Sequence, residues 1–274
     1  MRPTQVRMPA VAGRFYSAHP VNLADDVDGY LAQEPPEVIE GALGCIAPHA
    51  GYMYSGRVAS AVYRRLPARS CFLILGPNHF GRGREPLALT PDTRWRTPLG
   101  DAAVNGGLAA IIQSHCPALA EDAVAHEREH SIEAQIPFLQ RRMGDFSFVP
   151  IAVGAADFET LVALGQGIAR ALGEFPDPVL IVASSDMNHY EPDDITRIKD
   201  GHAVERILAL DPMGLYEAAR RENISMCGIG PAIVMLTAVK ELGASSATVA
   251  KYATSADAGG DPNAVVGYAG IIIQ

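Results

Sequence analysis

At 274 residues, with 48% hydrophobic and 19% charged side chains, the chain suits one folded α/β domain and excludes a disordered protein. A net charge of -9 excludes nucleic acid or an anionic membrane surface as the main partner. Cys45, Cys71, Cys116 and Cys227 show no CxxC spacing and predict no disulfide framework, and neither a signal-peptide apolar region near Met1 nor a membrane-length apolar run is present, so a cytoplasmic protein is expected.

Residues 1–20 read as irregular, with Pro3, Pro9, Gly13 and Pro20. Residues 23–31 read as a helix with Asn22 as its N-cap. A short apolar run over 44–47 predicts a buried strand that stops at Pro48-His49-Ala50-Gly51. Ser55 is placed to cap a helix reaching Leu66, in which Val58, Val62 and Leu66 recur every four residues. A second buried strand over 71–75 runs into Gly76-Pro77-Asn78-His79. Residues 86–90 read as a short strand, 91–100 as a loop around Trp95, and Asp101 as the cap of a helix reaching Ser114. A helix lies within 129–142 on Ile132, Ile136 and Leu139.

Residues 146–153 form a strand, 158–172 an amphipathic helix closed by Gly173, and 179–183 the central strand, which leads into Ser184-Ser185-Asp186-Met187-Asn188-His189. Helices follow over 196–210 and 212–223, and Gly230-Pro231 opens another that reaches Leu242. The last strands are 247–254 and 264–273, joined by a Gly/Asp-rich loop expected to be mobile. Alternating strands and helices predict a three-layer α/β sandwich, with helices on both faces of a central, mostly parallel sheet. The late pair reads as a hairpin, which makes the sheet mixed. No repeat or linker divides the chain, so a single domain over 1–274 is expected.

His49, His79 and His189 each follow the C-terminal end of a buried-strand run, the edge where open α/β sheets bind ligands. A neutral imidazole is the commonest side-chain metal ligand; the alternative for His49 and His79 is a hydrogen-bonded turn histidine. Cys227 precedes Gly228-Ile229-Gly230-Pro231. A thiol at a helix N-terminus has a lowered pKa and serves as nucleophile or metal ligand; the alternative is a buried structural cysteine. Asp186 near His189 suggests a general base with a carboxylate that orients it, or else an Asp capping its turn. His126-Glu127-Arg128-Glu129-His130 matches the H-E-x-x-H zincin pattern. Its charge and weak flanking helix argue against a metalloprotease and leave His130 as a histidine facing the pocket. His19, His115 and His202 read as surface residues.

Together, Pro48-His49-Ala50-Gly51-Tyr52, Gly76-Pro77-Asn78-His79, Glu129-His130-Ser131-Ile132-Glu133, Ser184-Ser185-Asp186 with His189, and Cys227-Gly228 resemble the Memo family, system protein B of AmmeMemoRadiSam. Ala12-Gly13, Tyr16, Tyr252, Ser255 and Tyr268 fit as well, and the resemblance spans nearly the whole chain. The family looks like the class III extradiol (LigB-type) dioxygenases, which cleave catechol rings with non-haem iron. The resemblance implies a metal pocket at one sheet edge, with His49, His79 and Cys227 as ligands. It places His189 at the position of the dioxygenase general base, with Asp186 and His130 lining the pocket.

Cys227 replaces the carboxylate of the ring-cleaving facial triad, and a thiolate shifts preference toward zinc, copper(I) or redox-altered iron. What the resemblance implies is a metal-dependent, dioxygenase-like oxidoreductase, with iron (Fe2+) first and zinc or copper as alternatives. Its ligand would be a small molecule or a peptide, with radical-SAM and AMMECR1-type proteins as partners. Two other readings stay open. One is a non-enzymatic peptide- or protein-binding module using the same pocket. The other is metal-free catalysis by Cys227 with His189 or His49 as base.

Overall fold

The computed structural model describes residues 5–274, so expectations resting on the first four positions, Pro3 included, lie outside them. The chain opens with β1 (Val6–Arg7), α1 (Pro20–Ala32), β2 (Gly44–Ala47), α2 (Tyr52–Arg65) and β3 (Cys71–Pro77). Next come β4 (Leu87–Leu89), β5 (Arg94–Thr97), β6 (Gly100–Val104), α3 (Gly106–His115), β7 (Ala120–Glu121) and α4 (Ala123–Glu127). A 3-10 turn over Glu133–Gln135 runs into α5 (Ile136–Met143), followed by β8 (Ser147–Val153), α6 (Phe158–Glu174), β9 (Val179–Ser184) and β10 (His189–Glu191). The helices α7 (Asp193–Leu208), α8 (Pro212–Arg221) and α9 (Ile229–Glu241) precede β11 (Ala247–Thr254) and β12 (Val265–Ile273).

One mixed sheet holds twelve strands among the described residues, ordered β1-β5-β6-β8-β3-β9-β2-β12-β10, with β11 paired to β12, β4 to β8, and β7 to β4. Its centre, β8-β3-β9-β2, is parallel. β12 joins it antiparallel to β2, and β11 and β12 form the expected hairpin. Neighbouring residues of β3 point to opposite faces: Phe72 and Ile74 pack with α1, α2 and α5, while Leu73 and Leu75 pack with α3, α6 and α9. The three-layer architecture follows. Strands covered on both faces carry continuous apolar runs rather than alternation, which makes them conspicuous in the sequence. No helix among the described residues is long and apolar enough to cross a membrane.

Several expectations are corrected. Asn22 lies inside α1, which starts at Pro20 behind His19, because proline suits the first helical turn. Ser55 lies inside α2, whose N-cap is Gly51; its hydroxyl donates to the Ala50 carbonyl at 2.8 Å. The stretch read as a loop around Trp95 contains β5 and pairs with β6. Asp101 lies in β6 and pairs with Arg96, while Asn105 caps α3 by accepting the Leu108 N–H at 2.9 Å. The irregular start contains β1, which pairs in parallel with β5. The Gly/Asp-rich stretch between the last two strands, read as plain loop, begins with a 3-10 turn, Ser255–Ala258, closed by a capping box between Thr254 and Asp257.

Candidate metal centre

Three adjacent parallel strands deliver side chains to one edge. Residues just beyond β2, β3 and β9 are His49, His79 and Asp186, and the β2–β9 pairing sets Ala47 beside Ser184 at the rim. Two glycines let other segments close in. A Cβ on Gly76 would stand 2.4 Å from the Ser131 hydroxyl, so only glycine lets the His130 segment lie on β3. A Cβ on Gly228 would stand 2.4 Å from the Ser184 carbonyl, so only glycine brings Cys227 against the end of β9.

His49, His79, His130, Asp186, His189 and Cys227 all line one cavity of about 480 Å³. Ring nitrogens of His49, His79 and His130 lie within 4.8 Å of one another. The Cys227 Sγ lies 3.4 Å from the His49 Nε2. Two ligand atoms at the usual metal–sulfur and metal–nitrogen distances of a tetrahedral site sit about 3.5 Å apart, so this pair is close enough to share one ion; the three-residue set gathered within 4.8 Å among the described residues is nevertheless His49, His79 and His130, without the expected Cys227.

Hydrogen bonds fix which ring nitrogens are free. The Ser184 hydroxyl donates to the Ser131 carbonyl at 2.7 Å and accepts from the Gln135 amide at 2.7 Å. Its contact with His49 Nδ1, at 2.8 Å, therefore requires Nδ1–H to donate, which leaves a lone pair on Nε2. His79 Nδ1–H donates to Glu129 Oε1 at 2.9 Å, again leaving Nε2 bare. Such outer partners orient ligand histidines and raise their basicity.

Burial alone would raise the Glu129 carboxyl. The hydrogen bond and charge of His79, the charge of His130 and the Ser131 N–H bring it down to about 2. Burial, reinforced by His79, lowers His49 to about 3, and burial together with His49 lowers His130 to about 4. These rings are neutral at neutral pH, the form a metal requires.

Asp186 does not orient His189. One of its oxygens accepts the His49 and Ala50 backbone N–H groups at 2.8 and 3.3 Å, and burial raises its carboxyl above the ordinary value. His189 is held by Ser225, whose carbonyl accepts from Nδ1–H at 3.0 Å and whose hydroxyl accepts the His189 N–H at 2.8 Å. The pair read from the sequence is thus replaced by a His189–Ser225 pair, made by a loop more than thirty residues away.

The expected lowering of the Cys227 thiol is also overturned. Burial, and then the Asp186 charge, push it up. Helix α9 starts only at Ile229, and the sulfur instead meets the Asp186 N–H at 3.3 Å. A coordinated metal deprotonates a thiol outright, whereas this environment without one holds it neutral. Metal-free nucleophilic catalysis by Cys227 is correspondingly disfavoured.

The H-E-x-x-H pattern divides. His126 is buried on α4, edge-on to Trp95 at 5.6 Å, and its Nε2–H donates to the Ala88 carbonyl at 3.0 Å. Only His130 joins the cluster. Burial lowers His126 to about 4. Its folded value lies below the ordinary 6.5, so its stabilising contribution is complete above pH 6.5 and is lost as pH falls toward 4. Over that window the parent is expected to lose up to about 1.4 kcal/mol per pH unit relative to His126→Gln, measured by urea unfolding. Parallel stability curves would contradict this.

Sequence reasoning missed Glu129, Ser184, Gln135 and Ser225. Glu129 stands beside His130 in a charged run, which gives no sign that it folds inward onto the His79 ring. The two serines and the glutamine carry no signal until folding sets them against the rings.

A family model described as Memo-like protein matches residues 7–272. The MEMO1 family protein PAE0818 of Pyrobaculum aerophilum is 44% identical over 98% of this chain and 99% of its own length. MEMO1 family protein Mbar_A1422 of Methanosarcina barkeri is 44% identical over 98% of this chain and 100% of its own length. Among solved structures, uncharacterized protein JW3007 from Escherichia coli K12 superposes with a TM-score of 0.56 at 11% identity, covering 84% of this chain and 98% of that one. Likeness at that identity shows the fold alone.

Proposed function

Because the chain belongs to the Memo-like protein family, we propose that its strand-end cavity is the mononuclear metal centre of an oxidoreductase, with His49, His79 and Cys227 as ligands. The observation that carries this reading is the 3.4 Å approach of Cys227 Sγ to a His49 Nε2 whose proton has been assigned to the other nitrogen. In such a set iron(II) supplies one-electron chemistry and open coordination positions, and zinc or copper is the alternative that a thiolate favours.

The protein's own groups divide the remaining work. His189 keeps its Nδ1 proton on Ser225, so Nε2 is the proton acceptor toward a bound substrate. Asp186 fixes the backbone of the His49 turn and adds a negative charge to the cavity when ionised. His130 stacks on His79 at 4.6 Å as a further polar wall.

Metal analysis of anaerobically purified protein tests the set. His49→Ala and Cys227→Ser are expected to retain at most about a tenth of the parent's metal, while His189→Ala keeps it and loses turnover. Parent-like metal content in both ligand variants would remove the proposal. If His130→Ala loses metal while Cys227→Ser does not, the three histidines are the ligands.

A peptide-binding module is favoured by one observation: Phe80 and Tyr190 near the cavity are 55% and 76% exposed. Peptide binding that ignores a chelator would support it.

A further inference from the structure

His79 and Cys227 have a second side. Beyond them lies a cleft of about 370 Å³, which shares these two residues with the metal cavity. Its wall includes Val153, Leu161, Tyr216, Ile229, Pro231 and Ile233, and among the described residues no Asp, Glu, Lys or Arg lines it. Among the described residues the metal cavity itself contains one carboxylate, Asp186, and no Lys or Arg. The cleft opens where β8 gives way to Gly154-Ala155-Ala156 and where Gly230-Pro231 starts α9. An apolar, concave surface that shares a wall with a reactive centre is what binds the hydrocarbon part of a ligand.

We propose that this cleft is the hydrocarbon subsite of the metal centre. The substrate then has a polar, metal-seeking head in the cavity and an uncharged alkyl or aryl portion across His79 and Cys227. This rests on the metal-centre reading above. A carboxylate or phosphate on the tail would meet no Lys or Arg among the described residues in either space, and it would lose hydration without a fixed ion partner. The one feature that favours an anion is the first turn of α9, which also lines the cleft, so an anionic tail belongs in the test.

Zinc-loaded protein, chosen because zinc is redox-silent, is titrated calorimetrically with uncharged hydroxamates from acetohydroxamate to hexanohydroxamate, and with the ω-carboxylate analogue adipic monohydroxamate. Affinity is expected to rise about fourfold per methylene until the cleft is filled, and the terminal carboxylate is expected to cancel the gain. Ala156→Trp, and independently Ala155→Trp, should leave acetohydroxamate affinity unchanged and remove the rise with chain length. A flat series in the parent, a rise that survives both tryptophans, or tighter binding of the carboxylate tail would overturn the proposal.

If acetohydroxamate itself fails to bind, the metal-centre reading has failed, and the cleft is judged alone. In that arm 1-hexanol is added to metal-free protein. Methyl shifts at Leu161 and Ile233 that Ala156→Trp abolishes support the subsite, and unmoved methyls reject it.

Discussion

Replacing Glu129 with glutamine is expected to weaken metal binding at the proposed site about 10–100-fold and to cost about 1–3 kcal/mol of stability at neutral pH. The side chain is buried and takes four donors. One oxygen accepts the His79 N–H at 2.7 Å. The other accepts the His130 and Ser131 N–H groups, both at 2.8 Å, and the His79 ring N–H at 2.9 Å. Glutamine keeps the shape but turns an NH2 toward one of these sets of donors. The His79 ring then loses the partner that leaves Nε2 bare, and the turn carrying His130 loses its anchor.

The pH dependence separates this from general damage. The carboxyl is held at about 2, below its ordinary 4.5, so its contribution is complete above pH 4.5 and disappears as pH falls toward 2. The stability difference between parent and Glu129→Gln should therefore narrow over that window. Competition titration with a chelator and urea unfolding check the two effects. Unchanged metal affinity would show that the ring orientation does not depend on Glu129.

The second large effect is expected at Arg7. This guanidinium is buried against Glu133, donates to the Glu129 and His126 carbonyls, and lies 4.4 Å from the centre of the Trp95 ring. Glu133 is fully buried and also accepts from the Ala10 and Val11 backbone and the Tyr16 hydroxyl. Arg7→Met keeps the apolar contact with Trp95 and strands the carboxylate, which is expected to cost about 3–5 kcal/mol in urea unfolding. Removing both charges, as Arg7→Met with Glu133→Gln, should recover part of that loss, because the penalty lies in the unpaired charge. Strictly additive losses would show that the pair is not coupled. The same cation holds the Glu129 carbonyl next to His130, so the single variant should also loosen the proposed metal site.

Much of the fold was legible because its determinants are local. The runs ending at Ala47, Leu75 and Ala183 are too short for helices, too apolar for the surface, and stopped by Pro, Gly or polar turns. Capping was read less well. Asn22, Ser55 and Asp101 are good capping types, but each helix begins where packing and the next turn place it, and the residue used was His19, Gly51 or Asn105. Strand β5 was missed although its hairpin partner β6 follows directly, because Pro91 and Pro98 on either side make the stretch read as a loop.

By itself, the sequence determined which residue types stand just past each buried strand, and so that His49, His79, Asp186 and His189 were candidates for one edge, with Cys227 a candidate from its Gly-rich turn before a helix. Tertiary structure alone decided their chemistry. Which ring nitrogen is free depends on Ser184 and Glu129, and His189 answers to Ser225 rather than Asp186. The Cys227 thiol is raised rather than lowered because burial, and then the Asp186 charge, dominate its surroundings. Strand periodicity is written in neighbouring residues, whereas protonation and tautomer depend on burial and on partners 36 to 178 positions away, which meet only when the chain has folded.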